Sequence, residues 1–428
     1  MTRLGWAGPA SVLALVAIMI FGLVPPEGAA QERAPAPSNP VTSLFNLRIG
    51  GYVQTNVTRD SDENTGDNPS SLRKLAVEKG SAQEDRETLR WAATRTRLFL
   101  DLRGPEMWGA KTRAYTEFDW DGVKLNENTG ASSAGAAHTP RLRHAYARFD
   151  WPVPYLTVGQ TTLVFDSAVS SQSELEGVSS GHGDITAGSR NRAPQFILGG
   201  IFPIAVARLE IAGSVARHAT DRDPAAGLND SGARSANPAL SGIVKGSIPL
   251  FGRDVILAVS NYWGEEVLTA GPPRRLHSTG FAAEAFLPLP ALGVIVPDLR
   301  GTWFTAENMD RWNLGLNGLT SSSPTANPRE ITATGWWAEV NVEFFRDFAV
   351  GAGYGFVEDD RDWVLKIGGS AQVPRQNTGR WVFAQWKPGP VLVEFLYGTV
   401  ETTRIIPTTR HDVDTRSDAY HLIVRYRF

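Results

Sequence analysis

From Leu44 onward the chain keeps a rhythm that few folds accept. Sixteen segments of about 10–13 residues alternate apolar and polar side chains, and the connections between them are long and short in strict turn. The segments run 45–57, 91–103, 111–120, 141–151, 155–165, 194–202, 205–217 and 239–250, then 254–262, 278–287, 297–306, 331–344, 348–356, 379–387, 391–403 and 417–428. A period of two is that of a β-strand with one apolar and one polar face. Strands of soluble proteins are usually about 5–6 residues long, whereas a tilted strand needs about 9–11 to cross a bilayer. The long connections are rich in Ser, Gly, Asn and Asp; most short ones hold or adjoin a proline, which cannot continue a ladder. Strict alternation of length puts every long loop at one end of an up-and-down sheet. An open sheet of this size would leave two unpaired edges, and closure removes them. The expected fold is therefore all-β, a 16-stranded antiparallel transmembrane β-barrel over residues 44–428, with short periplasmic turns and long outer loops.

The two faces can be read strand by strand. On the second strand Leu98, Leu100 and Leu102 oppose Arg95, Arg97, Phe99, Asp101 and Arg103. On the third, Ala114, Thr116, Phe118 and Trp120 oppose Lys111, Arg113, Tyr115, Glu117 and Asp119. On the fourth, with Ala145, Ala147, Phe149 and Trp151 outward, the lumen receives His144, Tyr146, Arg148 and Asp150. The small alanine surface suits lipid or a neighbouring subunit equally. The last strand turns Tyr420, Leu422, Val424, Tyr426 and Phe428 to lipid, with Ile423 the one apolar exception on its wet face. A one-residue slip of the second strand would set Arg95 and Arg97 against lipid, at roughly 2–4 kcal/mol each near mid-membrane. Trp108, Trp120, Trp151, Tyr155, Trp336, Tyr426 and Phe428 read as interfacial girdles.

The first 30 residues read as a signal peptide: Arg3, an apolar run from Ala10 to Val24, then Pro25 to Ala30 with small residues at the expected cleavage point. Residues 31–43 read as a Pro-rich periplasmic linker. Export of this kind points to the bacterial outer membrane. With 428 residues, no cysteine and a net charge of −3, the composition excludes disulfide scaffolds and thiolate chemistry and gives no field for nucleic acid. The sequence implies no cofactor, no metal and no catalytic residue. His182 near Asp184, and His411-Asp412, are weak as catalytic groupings; the acidic run 358–362 offers oxygen ligands for calcium, and 60–67 lacks the terminal Glu of an EF-hand but still offers carboxylates to a divalent ion.

The stretch Arg141–Gln160, "RLRHAYARFDWPVPYLTVGQ", followed by Phe165 and by "SRNRAPQ" over Ser189–Gln195, resembles the DcaP-like trimeric porins. "GYVQTNV" at Gly51–Val57 is similar to that group's first strand and "RTRLFLDLRG" at Arg95–Gly104 to its second. The N-terminal coiled coil frequent in the group has no counterpart here. The resemblance implies a homotrimeric, water-filled channel for passive diffusion of small hydrophilic, often anionic, solutes such as carboxylates. A terminal Phe428 preceded by alternate apolar residues resembles the signal read by the β-barrel assembly machinery.

A porin does no bond chemistry; its function lies in pore radius and lining charge. In sixteen-stranded porins the third outer loop commonly folds inward. Here that loop is 166–192, with Glu174, Glu176, Asp184, Arg190 and Arg192 as candidate constriction residues. Arg95, Arg97, Lys111, Arg113 and Arg148 are the candidate facing wall. Loop carboxylates opposite wall guanidinium groups would set a transverse field; the plainer alternative is ordinary solvated lumen charge. Two other classes fit a barrel: an outer-membrane enzyme, lipase or protease, and an adhesive or structural surface barrel with a plugged lumen.

Overall fold

A computed structural model of the protein describes residues 45–63, 75–122, 139–173, 192–218, 231–268, 274–309, 314–316, 329–367 and 370–428. The chain divides into two units, Met1–Phe45 and Asn46–Phe428. The expected signal peptide (1–30) and linker (31–43) lie outside the described residues, and the second unit holds every strand described.

The strands are β1 (Asn46–Asp60), β2 in two pieces (Thr88–Ala92 and Arg97–Arg103), β3 (Lys111–Gly122), β4 (Thr139–Asp150), β5 (Pro154–Thr162), β6 (Arg192–Ile204), β7 (Ala207–Ala216) and β8 (Ala239–Leu250). They continue as β9 (Arg253–Leu268), β10 (Arg274–Pro288), β11 (Ile295–Glu307), β12 (Thr332–Phe344), β13 (Phe348–Asp359), β14 (Val373–Trp386), β15 (Val391–Ile406) and β16 (His411–Arg427). Both pieces of β2 pair with β1, so they occupy one position of a 16-strand barrel. Every neighbour is antiparallel, and β16 pairs with β1 from Tyr52↔Arg427 to Asp60↔Ala419, which closes the sheet. Each expected segment has its strand. Several strands run further at the loop end, to Leu268 on β9 and from His411 on β16, because polar residues keep pairing beyond the apolar band.

The alternation has the expected direction. On β16 Tyr420, Leu422, Val424 and Tyr426 are exposed on the outer face, while His421, Ile423 and Arg425 are buried within the barrel. Trp108, Trp120, Trp336, Tyr426 and Phe428 are exposed as a girdle requires. Tyr155 departs from that expectation. It points inward, 5 % exposed, with its hydroxyl donating to Glu210 at 2.7 Å and the Arg148 guanidinium 4.0 Å above its ring.

The interior is not uniformly wet. Trp337, Trp381, Phe383, Leu392, Leu396, Val400 and Ile423 form an apolar patch on the inner wall of β12–β16. Ile423 is thus no exception in three dimensions; it belongs to a core inside the barrel. A second internal cluster joins Phe165, Tyr262, Phe304, Met309 and Leu314. Burial of this kind contributes about 25 cal/mol per Å² of apolar surface. Loop residues pack into both patches, Ala76 and Val169 into the first and Phe165, Met309 and Leu314 into the second.

The β8–β9 hairpin turns on Phe251 and Gly252, at φ 53° and 77°. Two left-handed residues make the turn that follows strand twist, and Asn-Gly is its favoured sequence. Phe251 holds a conformation that costs roughly 1 kcal/mol for a side chain other than Asn or Asp. Phe251→Asn is expected to stabilise the barrel by about 1 kcal/mol, read as a higher urea midpoint in detergent at unchanged slope.

Candidate functional site: the charged side of the lumen

Two structures face each other across the bore. The first is the start of the third outer loop. After β5 the chain leaves the wall at Leu163 and crosses the interior as an extended belt. The Asp166 N–H donates to Ser260 on β9 at 2.9 Å, and Ala168 and Val169 N–H both donate to Glu284 on β10 at 2.8 Å. Arg300 on β11 donates to the Ser170 carbonyl at 3.0 Å. Glu339 on β12 accepts from the Ser171 hydroxyl at 2.5 Å and the Gln172 N–H at 2.8 Å. Gln385 on β14 donates to the Gln172 carbonyl, and Glu394 on β15 accepts from the Ser173 hydroxyl at 2.5 Å. The belt meets its anchors in strand order. Eight extended residues reach about 26 Å, and six strand spacings of about 4.8 Å give an arc of similar length. The inward fold of this loop therefore agrees with expectation over 166–173, while residues 163–165, expected to end the fifth strand, already leave the wall after Thr162. Its fastenings are wall carboxylates holding loop donors. The first loop is fastened by wall hydroxyls and a guanidinium instead: Ala76 and Val77 N–H donate to Thr402 and Ser417, and Arg404 donates to the Ala76 carbonyl.

The opposite wall, β1 to β6 with β16, is basic. Arg97 lies inward, 3.4 Å from Glu117. Arg143 spans two acids, with Nε on Glu117 and Nη1 on Asp119, both at 2.7 Å. Arg141 grips Asp119 through two bonds of 2.9 and 2.7 Å. Arg192, the first residue of β6, makes no ion pair among the described residues, and its charge is felt by Arg143, Arg141 and Arg97. Arg425 reaches across from β16, donating to Gln54 at 2.8 Å and lying 4.3 Å above the Tyr52 ring, which Arg97 also covers at 5.5 Å. Among the described residues five guanidinium groups thus share this level with two acids, Glu117 and Asp119, and Arg95 is buried further along β2.

Two local departures from strand geometry assemble the cluster. Between Ala92↔Asn56 and Arg97↔Tyr52 the second strand carries one residue more than β1. That bulge reverses the alternation, so Trp91 faces out at 70 % exposure while Arg95 is buried at 4 %. On β4 the register slips between Glu117↔His144 and Phe118↔Leu142. Both Arg143 and His144 then point inward, and Leu142 faces out. A bulge re-aims side chains in this way wherever one strand carries an unmatched residue.

Of the expected site residues, Arg97 and Arg192 belong to this level, and Arg95 is buried beside the bulge of β2. Arg113 and Arg148 sit one level nearer the periplasm, directly paired across β3–β4 and engaged with Asp101 at 2.7 Å and Asp150 at 2.8 Å. Lys111 is exposed at the periplasmic end of β3, apart from the cluster. Glu174, Glu176, Asp184 and Arg190 lie outside the described residues, as does His182. Sequence alternation missed Arg141 and Arg143. The signal was present: in "RLRHAY" Arg143 and His144 are adjacent polar residues where alternation permits one. The acidic run at 358–362 is used by the fold, with Asp360 capping a short helix at Arg361–Val364, Asp359 accepting from the Leu316 N–H and Glu358 paired with Arg375. Among the described residues no group of three or more metal-ligating side chains converges.

A closed barrel with an apolar exterior, an inward loop and a charged bore is an outer-membrane porin fold. No protein-family model matches the chain, and no curated protein matches it. Solved structures do. The DcaP outer-membrane channel of Acinetobacter baumannii is 16 % identical, with 90 % of this chain and 98 % of that chain aligned at a TM-score of 0.64. The trimer form of OmpT, an outer-membrane protein of Vibrio cholerae, is 10 % identical over 90 % and 100 % at 0.50. An anion-selective porin from Comamonas acidovorans is 9 % identical over 90 % and 100 % at 0.51. At these identities the likeness is one of fold, and it runs to the group that the strand motifs resemble.

Proposed function

We propose that the protein is a passive channel for small hydrophilic solutes that favours anions, small carboxylates among them. The observation that carries this reading is the basic cluster on this wall, where Arg97, Arg141, Arg143, Arg192 and Arg425 gather around two acids among the described residues, Glu117 and Asp119. Each guanidinium presents a planar fork that matches carboxylate oxygens. The belt lies across the bore from this wall and narrows the water path towards it. In this reading Glu174, Glu176, Asp184 and Arg190 complete the constriction with Arg192. The barrel assembles as a homotrimer; one structural neighbour is a trimer form and another an anion-selective porin. It does no bond chemistry.

Reconstitution in a planar bilayer tests the reading. In a salt gradient the reversal potential is expected to carry the sign of anion preference; cation preference, or no conductance, would overturn it. Native electrophoresis in mild detergent is expected to show a trimer, and a monomer alone would remove that part. Phe428 exchanges backbone hydrogen bonds with Gly51 at 3.1 and 3.2 Å, next to the closing seam. We read it as the residue presented to the assembly machinery. Its deletion is expected to lower the folded barrel recovered from outer membranes, and unchanged recovery would reject that role.

A further inference from the structure

Between the two basic levels the same wall carries aromatic rings. Along β3 and β4 the register runs Arg113↔Arg148, then Tyr115↔Tyr146, then Glu117↔His144, and the Arg143 bulge follows. Each step of two residues rises about 7 Å. Phe99 on β2 joins the row, its ring lying over Gly50 of β1, where any Cβ would come within 2.6 Å of it. Phe99 and Tyr115 have centroids 5.7 Å apart and planes 26° apart; Tyr115 and Tyr146 are 5.6 Å and 34° apart. His144 meets both tyrosines edge-on, at 6.1 and 6.4 Å. All four rings are partly exposed to the bore. The Tyr115 hydroxyl is committed to Glu117 at 2.8 Å, which fixes its ring.

A wall built only to pass simple anions needs guanidinium groups and water. Inserting a fixed aromatic row between two guanidinium rows adds a surface that recognises π-faces and leaves charge recognition one step above and one step below. Alternating aromatic and basic groups are the general solution for binding single nucleotide units: the base stacks and the phosphate meets Arg. We propose that this strip is a stacking platform for nucleoside monophosphates passing through the pore. The base rests against Tyr115 and Tyr146, and the phosphate is held by Arg113 and Arg148 or by Arg97 and Arg192. The proposal rests on the anion-passing reading and adds a ring requirement that charge alone does not impose.

The test uses single trimers in a planar bilayer with three probes: AMP, ribose 5-phosphate (the same charge without a base) and adenosine (the base without charge). AMP is expected to interrupt the ion current in resolved events, with an apparent affinity about tenfold above that of ribose 5-phosphate; adenosine should give no events. Tyr146→Leu with Tyr115→Leu should bring AMP down to the level of ribose 5-phosphate. Tyr115→Phe keeps the ring and should retain the difference. Open-channel conductance in the same records reports that each variant is folded. Equal blocking by AMP and ribose 5-phosphate, or blocking by adenosine as strong as by AMP, overturns the platform. The reversal potential from the same bilayer separates the outcomes: anion preference with no AMP effect sinks only the platform, whereas cation preference sinks the function on which it rests.

Discussion

Replacing Arg97 and Arg192 together by glutamine is expected to cut the anion-to-cation permeability ratio about fivefold. Arg97 stands 3.4 Å from Glu117, further than the 2.7 Å contacts that Arg141 and Arg143 make with acids, and Arg192 has no ion pair among the described residues. Removing them leaves Glu117 bonded to Arg143 and Tyr115, and Asp119 bonded to Arg141 and Arg143, so no buried acid loses its last partner. A unit charge about 8 Å from a permeating ion in water contributes about 0.5 kcal/mol. Two such charges attract an anion by about 1 kcal/mol and repel a cation by as much, about 30-fold in the unscreened ratio, and screening brings the expected factor down to about fivefold. Screening erases much of this beyond a Debye length, about 10 Å at 0.1 M salt, so reversal potentials should be measured at low ionic strength and the difference should shrink as salt rises. An unchanged potential would show that the selectivity is set elsewhere.

Arg143→Gln makes the informative contrast. Arg143 is 7 % exposed at its side chain and bonds two acids that are 12 % and 0 % exposed. Its loss takes charge-assisted bonds from Glu117 and Asp119 at once, each worth about 1.5–3 kcal/mol. That variant is expected to lose stability first, read as a lower unfolding temperature in detergent. Arg141 and Arg143 hold the acids in place; Arg97 and Arg192 supply the surplus charge.

The fold was legible because a membrane strand is a local object. Its length and its alternation sit in consecutive residues, and lipid enforces both, so Tyr420 to Tyr426 could be assigned a face without knowing any partner. Features that depend on partners were read less well. Arg143 was invisible to strict alternation because its direction comes from a bulge defined against β3. Tyr155 reads from sequence as a girdle residue because it is a strand-end aromatic; in the fold Glu210 and Arg148 draw it inward. Ile423 looked like an error in a wet face because nothing in its own strand reveals Leu392 and Leu396 beside it. The inward path of the third loop came from resemblance. Its fastenings did not, since Glu284, Glu339 and Glu394 are far from residues 168–173 in sequence and each reads alone as an ordinary lumen charge.

Those fastenings carry the other large expectation: Glu339→Ala with Glu394→Ala should free the belt, raise single-channel conductance and add flicker to the open state. Glu339 accepts three hydrogen bonds, from the Ser171 hydroxyl, the Gln172 N–H and the Trp381 indole at 2.7 Å; Glu394 accepts from the Ser173 hydroxyl and from Gln385 at 2.6 Å. Removing both carboxylates leaves buried donors without those acceptors and costs roughly 1–3 kcal/mol for each group left unsatisfied. Leu163, Val164 and Phe165 keep the start of the belt seated in internal apolar clusters, whereas over 166–173 apolar contact comes from Ala168 and Val169. Against that loss stands the conformational entropy that an extended segment recovers on release, about 1–2 kcal/mol per residue, so a few freed residues suffice to tip the balance. The barrel should survive, because its ladders involve neither side chain; circular dichroism should show retained strand and a lower melting temperature. Glutamine at both positions keeps an acceptor in each place and should leave the pore close to wild type. If the alanine pair conducts as the wild type does, residues 166–173 do not limit the pore, and the narrowing belongs to the basic wall alone.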